Sequence, residues 1–270
     1  SLAHFERIEL MKHVLISNDD GINAHGINVL AETIASLDGF RVTVVAPHDQ
    51  QSASSHALTL TSPLRILEEG PGRFAVTGTP TDSVLVAMEK ILLNDRPDYV
   101  MSGINHGPNM GEDVIYSGTV AAAMEGTMFD IPSYAFSLGA WHPTDFSGAA
   151  AFIRSSLTDI LAFPLRSGSL LNINIPDGAA KDIRGIRVTK LGTREYRDVI
   201  TDKIDPQGKP YFWIGGNGPT WTRSAGSDYN AVDDGYVSLT PLIVDLTHEE
   251  LHKEMQFLER DGLKDMDPPS

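Results

Sequence analysis

The sequence predicts an α/β protein with a doubly wound, Rossmann-like and mostly parallel sheet, followed by a β-rich C-terminal extension or arm. Two observations support this prediction. Short apolar runs alternate with helix-type apolar spacing over residues 11–190, as a parallel sheet with covering helices requires. Residues 191–270 differ, because short aromatic and β-branched runs are separated there by glycine-rich and polar stretches. Residues 1–10 are expected to be a disordered start or an expression remnant.

The first predicted unit is a strand, a helix and a second strand. The run HVLIS at residues 13–17 ends in a polar turn, and apolar residues then recur at helical spacing from Ile27 to Leu37. Gly39 ends this helix, and RVTVVA at residues 41–46 forms the next strand. A helix that connects two strands of one sheet is typical of a right-handed crossover between parallel strands, whereas antiparallel strands need no such helix. The two strands are therefore expected to be parallel.

The remaining predicted elements continue this alternation. The turn at residues 69–72 indicates a hairpin, and residues 79–82 begin a helix, because a threonine cap is followed there by proline and an acid. Ser117 is expected to cap a further helix that Gly126 ends. The further predicted strands are residues 64–67, 74–77, 98–102, 133–138, 170–175, 211–214 and 236–243, and the helices are residues 80–93, 118–125, 146–162 and 248–258.

Composition narrows the classes of function and location. The chain has 270 residues, and its 21 basic and 36 acidic side chains give a formal charge of −15 at pH 7. This charge opposes binding to a nucleic-acid polymer or to an anionic membrane surface. The absence of cysteine excludes disulfides, thiolate metal sites and cysteine nucleophiles. Because no apolar run approaches the roughly 18–20 residues of a membrane span and residues 1–10 lack a secretory signal, we expect a cytoplasmic protein.

Three polar loops follow predicted strands and carry oxygen ligands. Asp19 and Asp20 follow the first strand, residues 50–56 follow the second, and residues 103–111 follow the strand at 98–102. Ligands of an open parallel sheet bind outside the carboxyl ends of its strands, so these loops can converge. Adjacent carboxylates repel each other unless a cation lies between them, and an oxygen-only ligand set suits magnesium, manganese or calcium. The alternative is that the acids only cap the following helix.

The start of the helix after Ser117 is a candidate phosphate site. Ser117, Gly118 and Thr119 combine two hydroxyls with a flexible glycine where unbonded N–H groups and the helix dipole favour an anion. An ordinary serine cap is the alternative. His56 and His106 lie in the neighbouring loops, and either could act as a general acid, although their spacing is not specific. The chain lacks the GxGxxG, GxxxxGK[ST] and GxSxG motifs.

At these residues the sequence resembles the survival protein E (SurE) family of metal-dependent 5′/3′-nucleotidases. The resemblance covers nearly the whole chain after Met11, and the block from Ser102 is highly specific. The matching stretches are LISNDDGINAHGI, VVAPHDQQSASSHALTL, TGTPTDSV, SGINHGPNMGEDVIYSGTVAAAMEG, LNINIP, IRVTKLGTR and DDGYVSLTPL.

The resemblance implies a function and a set of site residues. It implies hydrolysis of nucleoside 5′- and 3′-monophosphates, and in some members of short polyphosphate, with one divalent cation, magnesium or manganese. The implied metal ligands are Asp19, Asp20, Ser52 and Asn105. The implied phosphate site lies near Asn109, Ser117, Gly118 and Thr119. We expect Asp19 to orient the attacking water and Asn109 to stabilise the phosphoryl oxygens.

The resemblance also implies a homodimer or homotetramer assembled through an exchanged C-terminal arm. One position departs from the family pattern, because the glycine that often follows the metal-binding serine is Ala53 here. This departure concerns the local backbone conformation next to Ser52 and not the implied metal ligands.

Two alternative functions remain open. A receiver-like signalling domain also places an acidic pair after its first strand to hold magnesium, but this chain is longer and its loops offer serine and asparagine where a receiver needs an acceptor aspartate and a lysine. A nucleoside hydrolase uses clustered aspartates and calcium to cleave the bond between sugar and base. Release of free phosphate from a nucleotide distinguishes the expected activity from this one.

Overall fold

The computed structural model describes residues 11–140, 145–195, 200–214 and 220–259. Nine strands form its central sheet, in the order β3-β4-β2-β1-β5-β6-β7-β13-β8. They are β1 (Lys12–Ser17), β2 (Phe40–Pro47), β3 (Ile66–Gly70), β4 (Arg73–Val76), β5 (Tyr99–Asn105), β6 (Ser133–Leu138), β7 (Ser169–Ile175), β8 (Ile186–Val188) and β13 (Val237–Ile243). The expectation for residues 1–10 lies outside the described residues.

The pairing of these strands is mostly parallel, which confirms the predicted α/β class. From β4 through β2, β1, β5 and β6 to β7, each neighbouring pair is parallel. Strand β3 is antiparallel to β4, and β13 is antiparallel to β7. The helices are α1 (His25–Ala35), α2 (Pro80–Val86), α3 (Gly118–Met128), α4 (Ser147–Ala162), α5 (Asp228–Asp233) and α6 (Glu249–Met255).

Alternation of side chains along β1 places one core on each face of the sheet. Ile16 is fully buried in the cluster that includes Ile27 of α1 and Phe152 of α4, whereas its neighbour Leu15 is buried in the cluster that includes Val84 of α2. Successive residues of a strand point to opposite faces, so α1 and α4 cover one face while α2 covers the other. Burial on both faces explains why β1 is continuously apolar in sequence.

Local sequence signals determine where two of the helices begin. Thr79 and Asp82 form a reciprocal capping box, with Thr79 N–H donating to Asp82 Oδ2 at 2.8 Å and Asp82 N–H donating to Thr79 Oγ1 at 3.1 Å. Pro80 occupies the first turn, as predicted, and α2 continues as a π-helical turn at Ala87–Ile91. Ser117 Oγ accepts the N–H of Val120 at 3.1 Å, which confirms the predicted cap of α3.

Gly126 does not end α3, and this prediction was wrong. The helix continues to Met128, because the glycine is a packing residue in its interior. A Cβ at position 126 would lie 2.7 Å from Cβ of Val100 and 2.6 Å from Oγ of Ser133. The glycine therefore allows α3 to approach the sheet closely.

The C-terminal part of the chain returns to the central sheet. The sequence analysis assigned residues 236–243 to the extension, but β13 is an internal strand between β7 and β8, with Ser238 opposite Asn174. The proposed boundary at residue 190 therefore does not separate the sheet from the extension. Outside the sheet, β10 (Ile200–Ile204) pairs with β11 (Pro210–Ile214), and β9 (Thr193–Glu195) pairs with β12 (Thr220–Thr222), both antiparallel.

None of the helices in the described part of the chain is both long enough and apolar enough to cross a membrane.

Candidate metal and phosphate site

Three loops meet at the carboxyl ends of β1, β2 and β5. The backbone oxygen of Asp19 accepts a hydrogen bond from Gln51 N–H at 2.7 Å, which joins the loop after β1 to the loop after β2. Asp20 Oδ2 accepts the N–H of His106 at 3.1 Å, which joins the first loop to the loop after β5. The convergence expected from strand order is thus present, with the two acids at its centre.

The turn that presents the two acids is fixed by Asn18. Its side-chain nitrogen donates to Gly21 O at 2.9 Å, and its Oδ1 accepts the N–H of Gly21 at 3.2 Å. Gly21 has a φ of +99°, a conformation that an L side chain rarely adopts. The sequence places Asn18 beside the two acids in the polar turn after the first strand, but the sequence analysis gave it no role, although an asparagine three residues before a glycine is typical of such a turn.

Asp19 is a buried carboxyl group that has no cationic partner among the described residues. The residue is 6% exposed, and the hydroxyl of Thr119 donates a hydrogen bond to its Oδ1. Burial, with a smaller contribution from the nearby charge of Asp20, raises the pKa of Asp19 to about 6. In the described residues, no lysine or arginine forms an ion pair with Asp19 or Asp20. A buried acid that must ionise here needs a counter-charge from outside the chain.

The two neutral oxygen ligands expected at this site lie in the other loops. Ser52 is exposed, and its Oγ accepts the side-chain N–H of Gln50 at 2.9 Å. Asn105 is half-buried, and its side-chain nitrogen donates to Gly107 O at 2.8 Å. With its nitrogen held in this way, Asn105 has Oδ1 without a hydrogen bond in the described residues, which suits a cation ligand.

The described residues contain no group of three or more His, Cys, Asp or Glu arranged to hold a metal ion. The candidate site therefore rests on two carboxylates with serine and asparagine oxygens. Such an all-oxygen set is typical of magnesium, which retains several waters, and of manganese.

The N-terminus of α3 lies directly against Asp19. A Cβ at position 118 would be 2.7 Å from Cβ of Asp19 and 2.9 Å from Oγ of Ser54, so only glycine allows this approach. The hydroxyl oxygen of Ser54 is buried and has no hydrogen-bond partner among the described residues. An unpaired buried hydroxyl beside a helix N-terminus fits an anion that spans the two.

The side chains of Thr119 and Asn109, which the resemblance implies for the phosphate site, are both hydrogen-bonded to other side chains of the protein. Thr119 is fully buried, and its hydroxyl is directed to Asp19. The side-chain nitrogen of Asn109 donates to Ser137 Oγ at 2.8 Å, and its backbone N–H donates to Asn174 Oδ1 at 2.9 Å. Asn172 and Asn174 in turn donate to its backbone oxygen at 2.8 and 2.9 Å.

The sequence analysis missed this asparagine network. Ser137, Asn172 and Asn174 are fully buried on β6 and β7, and they fix the loop that carries Asn109. Their signal is present in the run LNINI, where asparagines alternate with apolar residues inside a strand. Buried amides of this kind require partners and therefore indicate a polar site nearby.

The two candidate histidines are both bonded to the protein. His106 Nε2 accepts the N–H of Gly26 at 3.1 Å, so it caps the first turn of α1, and its ring lies 5.0 Å from that of Phe146. His56 Nε2 lies 2.9 Å from Oε2 of the buried Glu125 on α3. Glu125 was not identified from the sequence. Both histidines connect the site loops to helices.

Ala53 has a left-handed backbone conformation, which glycine adopts more readily than alanine. Its φ is +57°, and Ser55 nearby has a φ of +53°. The loop after β2 therefore keeps a left-handed turn next to Ser52 despite the alanine, at a steric cost of about 1 kcal/mol.

Fold and site together define an open α/β protein whose candidate ligand site lies at the carboxyl ends of its parallel strands. The sequence profile of the family described as Survival protein SurE matches residues 14–198. This match spans more than half of the chain. The chain belongs to the SurE family.

Individual relatives agree with this assignment. The chain is 47% identical over 245 residues to the 5′-nucleotidase SurE of Anaeromyxobacter dehalogenans, covering 90% of this chain and 94% of the relative. It is 43% identical over 257 residues to that of Vibrio cholerae, covering 95% and 96%. The crystal structure of SurE protein from Aquifex aeolicus superposes with a TM-score of 0.81 at 40% identity, covering 92% of this chain and 100% of that one.

Proposed function

We propose that this nucleotidase is a metal-dependent phosphomonoesterase that hydrolyses nucleoside 5′- and 3′-monophosphates to nucleoside and phosphate. The observation that carries the proposal is the contact between Asp19 and the N-terminus of α3. It brings a buried acid, which has no cationic partner in the described part of the chain, against backbone N–H groups suited to an anion. A cation and a phosphate group are complementary to these two features, and the relatives named 5′-nucleotidase support the substrate class.

The residues that would hold one magnesium or manganese ion are Asp19, Asp20, Ser52 and Asn105. Such an ion would neutralise negative charge on the phosphoryl oxygens and lower the pKa of a water bound to it. The fit of these residues to a cation rests on the two acids, which form no ion pair with lysine or arginine in the described residues, and on the Oδ1 of Asn105. Zinc would be expected to recruit histidine or cysteine, and the chain has no cysteine.

The chain's own groups orient the reactants. Thr119 fixes one oxygen of Asp19 through its hydroxyl, which leaves the other oxygen to orient the attacking water or accept its proton. We propose that the N–H groups at Gly118 and Thr119 bind the non-bridging oxygens, beside the hydroxyl of Ser54, which lies 2.9 Å from the position of a Cβ on Gly118. Asn109 is proposed to stabilise the same oxygens from the loop after β5. Water attacks phosphorus, the bond to the nucleoside oxygen breaks, and that oxygen takes up a proton.

We further propose activity on short polyphosphate, a cytoplasmic location, and a homodimer or homotetramer that forms through the β10–β11 hairpin. The hairpin carries large apolar side chains that face solvent in a single chain, including Ile204 at 73%, Phe212 at 63% and Trp213 at 64% exposure. A paired hairpin with such side chains is suited to packing on a second copy.

Phosphate release tests the proposed activity. Metal-stripped protein is assayed on a panel of nucleoside 5′- and 3′-monophosphates, with and without manganese or magnesium, beside Asp19→Asn. Asp159→Asn, on the exposed face of α4, is the matched control. We expect activity that returns with metal and is lost only in Asp19→Asn. Absence of phosphate, with free base released in its place, would favour a nucleoside hydrolase.

A further inference from the structure

A polar cavity lies beside the candidate site, at the carboxyl ends of β2 and β4. Its volume is about 280 Å³, and the side chains that line it include His48, Asp49, Gln51, Thr59 and Ser62. We propose that this cavity receives the nucleoside part of the substrate while the phosphate lies at the N-terminus of α3. The inference rests on the proposed function and adds to it the position of the nucleoside.

Two contacts connect the cavity to the catalytic centre. Gln51 lines the cavity, directly precedes Ser52, and donates its backbone N–H to Asp19 O at 2.7 Å. Thr79 also lines the cavity, and the next residue, Pro80, lies 3.0 Å from the position of a Cβ on Gly118. The cavity and the phosphate site thus share a wall.

The distance between the phosphate site and the cavity, as the strand order gives it, matches the length of a nucleotide. Strands β4, β2 and β1 are neighbours in the sheet, and Asp19 follows β1. Because neighbouring strands lie about 4.8 Å apart, the end of β4 is about 10 Å from the end of β1. A nucleoside monophosphate with its phosphate beside Asp19 can reach that distance with its sugar and base.

The polar groups of the cavity suit a neutral nucleoside. The side chains of Gln51, Thr59 and Ser62 make no hydrogen bond within the described part of the chain, so their donors and acceptors are available. Asp49 adds a carboxylate, which lies 3.1 Å from Nδ1 of His48. Hydroxyl and amide groups match the polar edges of ribose and base.

A second cavity of about 290 Å³ provides the comparison. It lies between α1 and α4, and its lining includes His25, Phe146, Ser147 and Arg154. These helices cover the face of the sheet opposite to α2, as the two core clusters show. The ring of His106, bonded to Gly26 and packed on Phe146, lies on the side of this cavity toward the metal site.

Filling each cavity with the same substitution tests the proposal. Ser62→Trp fills the proposed nucleoside cavity, Ser147→Trp fills the other one, and both serines are exposed. Thr59→Val removes one hydroxyl but keeps the backbone bond from Thr59 to Asp82. Each variant is assayed with manganese on a nucleoside 5′-monophosphate and on glycerol 2-phosphate, which carries no nucleoside. The readout is the ratio of the two kcat/KM values.

We expect Ser62→Trp to lower the ratio of nucleotide to glycerol 2-phosphate kcat/KM about tenfold, through a higher KM for the nucleotide. We expect Thr59→Val to lower the same ratio about threefold, because one neutral hydrogen bond is lost. Ser147→Trp leaves the ratio unchanged. An unchanged ratio in folded Ser62→Trp, or a fall in Ser147→Trp, overturns the proposal. Hydrolysis of neither substrate by the parent protein would instead contradict the proposed function, and calorimetric binding of the nucleotide to the same variants then tests the cavity by itself.

Discussion

The hydroxyl of Thr119 donates a hydrogen bond to Oδ1 of Asp19 across the junction between α3 and the loop after β1. This bond joins the helix N-terminus expected to bind phosphate to the acid expected to bind the cation. Thr119 thereby has a role that its sequence position did not suggest, since it orients Asp19 through its side chain. The backbone at the start of α3 remains available to an anion.

Thr119→Val should lower activity about tenfold to a hundredfold, because a hydrogen bond to a carboxylate contributes about 1.5–3 kcal/mol. The measurement is kcat and KM for phosphate release together with the affinity for manganese. Thr127→Val is the matched control, since Thr127 is also buried on α3 but donates to Ala123 O at 3.0 Å. Equal activity in the two variants would remove the positioning role of Thr119.

Asp19→Asn should stabilise the metal-stripped protein at pH 8. The folded-state pKa of about 6 lies above the ordinary value of 3.8, so stability falls as pH rises from about 4 to about 6 and stays low above it. A shift of this size corresponds to about 3 kcal/mol at most. Thermal unfolding with and without manganese provides the measurement. The prediction fails if metal-stripped Asp19→Asn unfolds at the same temperature as the parent protein at pH 8, or at a lower one.

Gly118→Ala should reduce activity at least about tenfold, because displacing reacting groups by a fraction of an ångström is costly in an oriented site. The added Cβ would lie 2.7 Å from Cβ of Asp19 and would force α3 away from the acid. Ala121→Gly, one turn further along α3, is the control. It should cost about 1 kcal/mol in stability yet keep activity. Comparable activity losses in both variants would indicate a general effect on folding.

Ala53→Gly should leave the protein as stable as before or more stable by up to about 1 kcal/mol. Glycine removes the steric cost of φ +57°, and this gain exceeds or matches the greater entropy of glycine in the unfolded chain. Ala57 lies in the same loop without a positive φ, so Ala57→Gly should be destabilising. Chemical denaturation of both variants measures the difference. Destabilisation of equal size would show that Ala53 has no strained backbone in solution.

Replacing both Phe212 and Trp213 by serine should lower the oligomeric mass in solution. These side chains are exposed on β11 in the single chain, and a second copy would cover them. Leu246→Ser is the control, because Leu246 is 93% exposed outside the hairpin. Light scattering after size-exclusion chromatography gives the mass. An unchanged mass in the double variant would contradict assembly through this hairpin.

The sequence predicted the elements whose signals are local. The run HVLIS, the capping pair Thr79 and Asp82, and the cap at Ser117 each depend on neighbouring residues, and all appear in the structure. The position of β13 could not be predicted, because its pairing with β7 joins residues such as Ser238 and Asn174 that are far apart in the chain. Periodicity indicates a strand but not its partner.

The candidate site was predictable in composition but not in its connections. The acidic pair, the serine-containing loop and the asparagine loop follow from the rule for open sheets and from the family resemblance. The bond from Thr119 to Asp19, the support of Asn109 by Asn174, and the contact of His56 with Glu125 join distant segments. Contacts of this kind depend on how α3 packs against the loops.

The central claim is that three loops form one divalent-cation centre. Titration of the metal-stripped protein with manganese tests this claim most directly. Calorimetry should show one site per chain in the parent protein and in Asp159→Asn, a site that is lost in Asp19→Asn and weakened in Asn105→Ala. Manganese binding of undiminished affinity in Asp19→Asn would contradict the account, because the cation would then lie elsewhere.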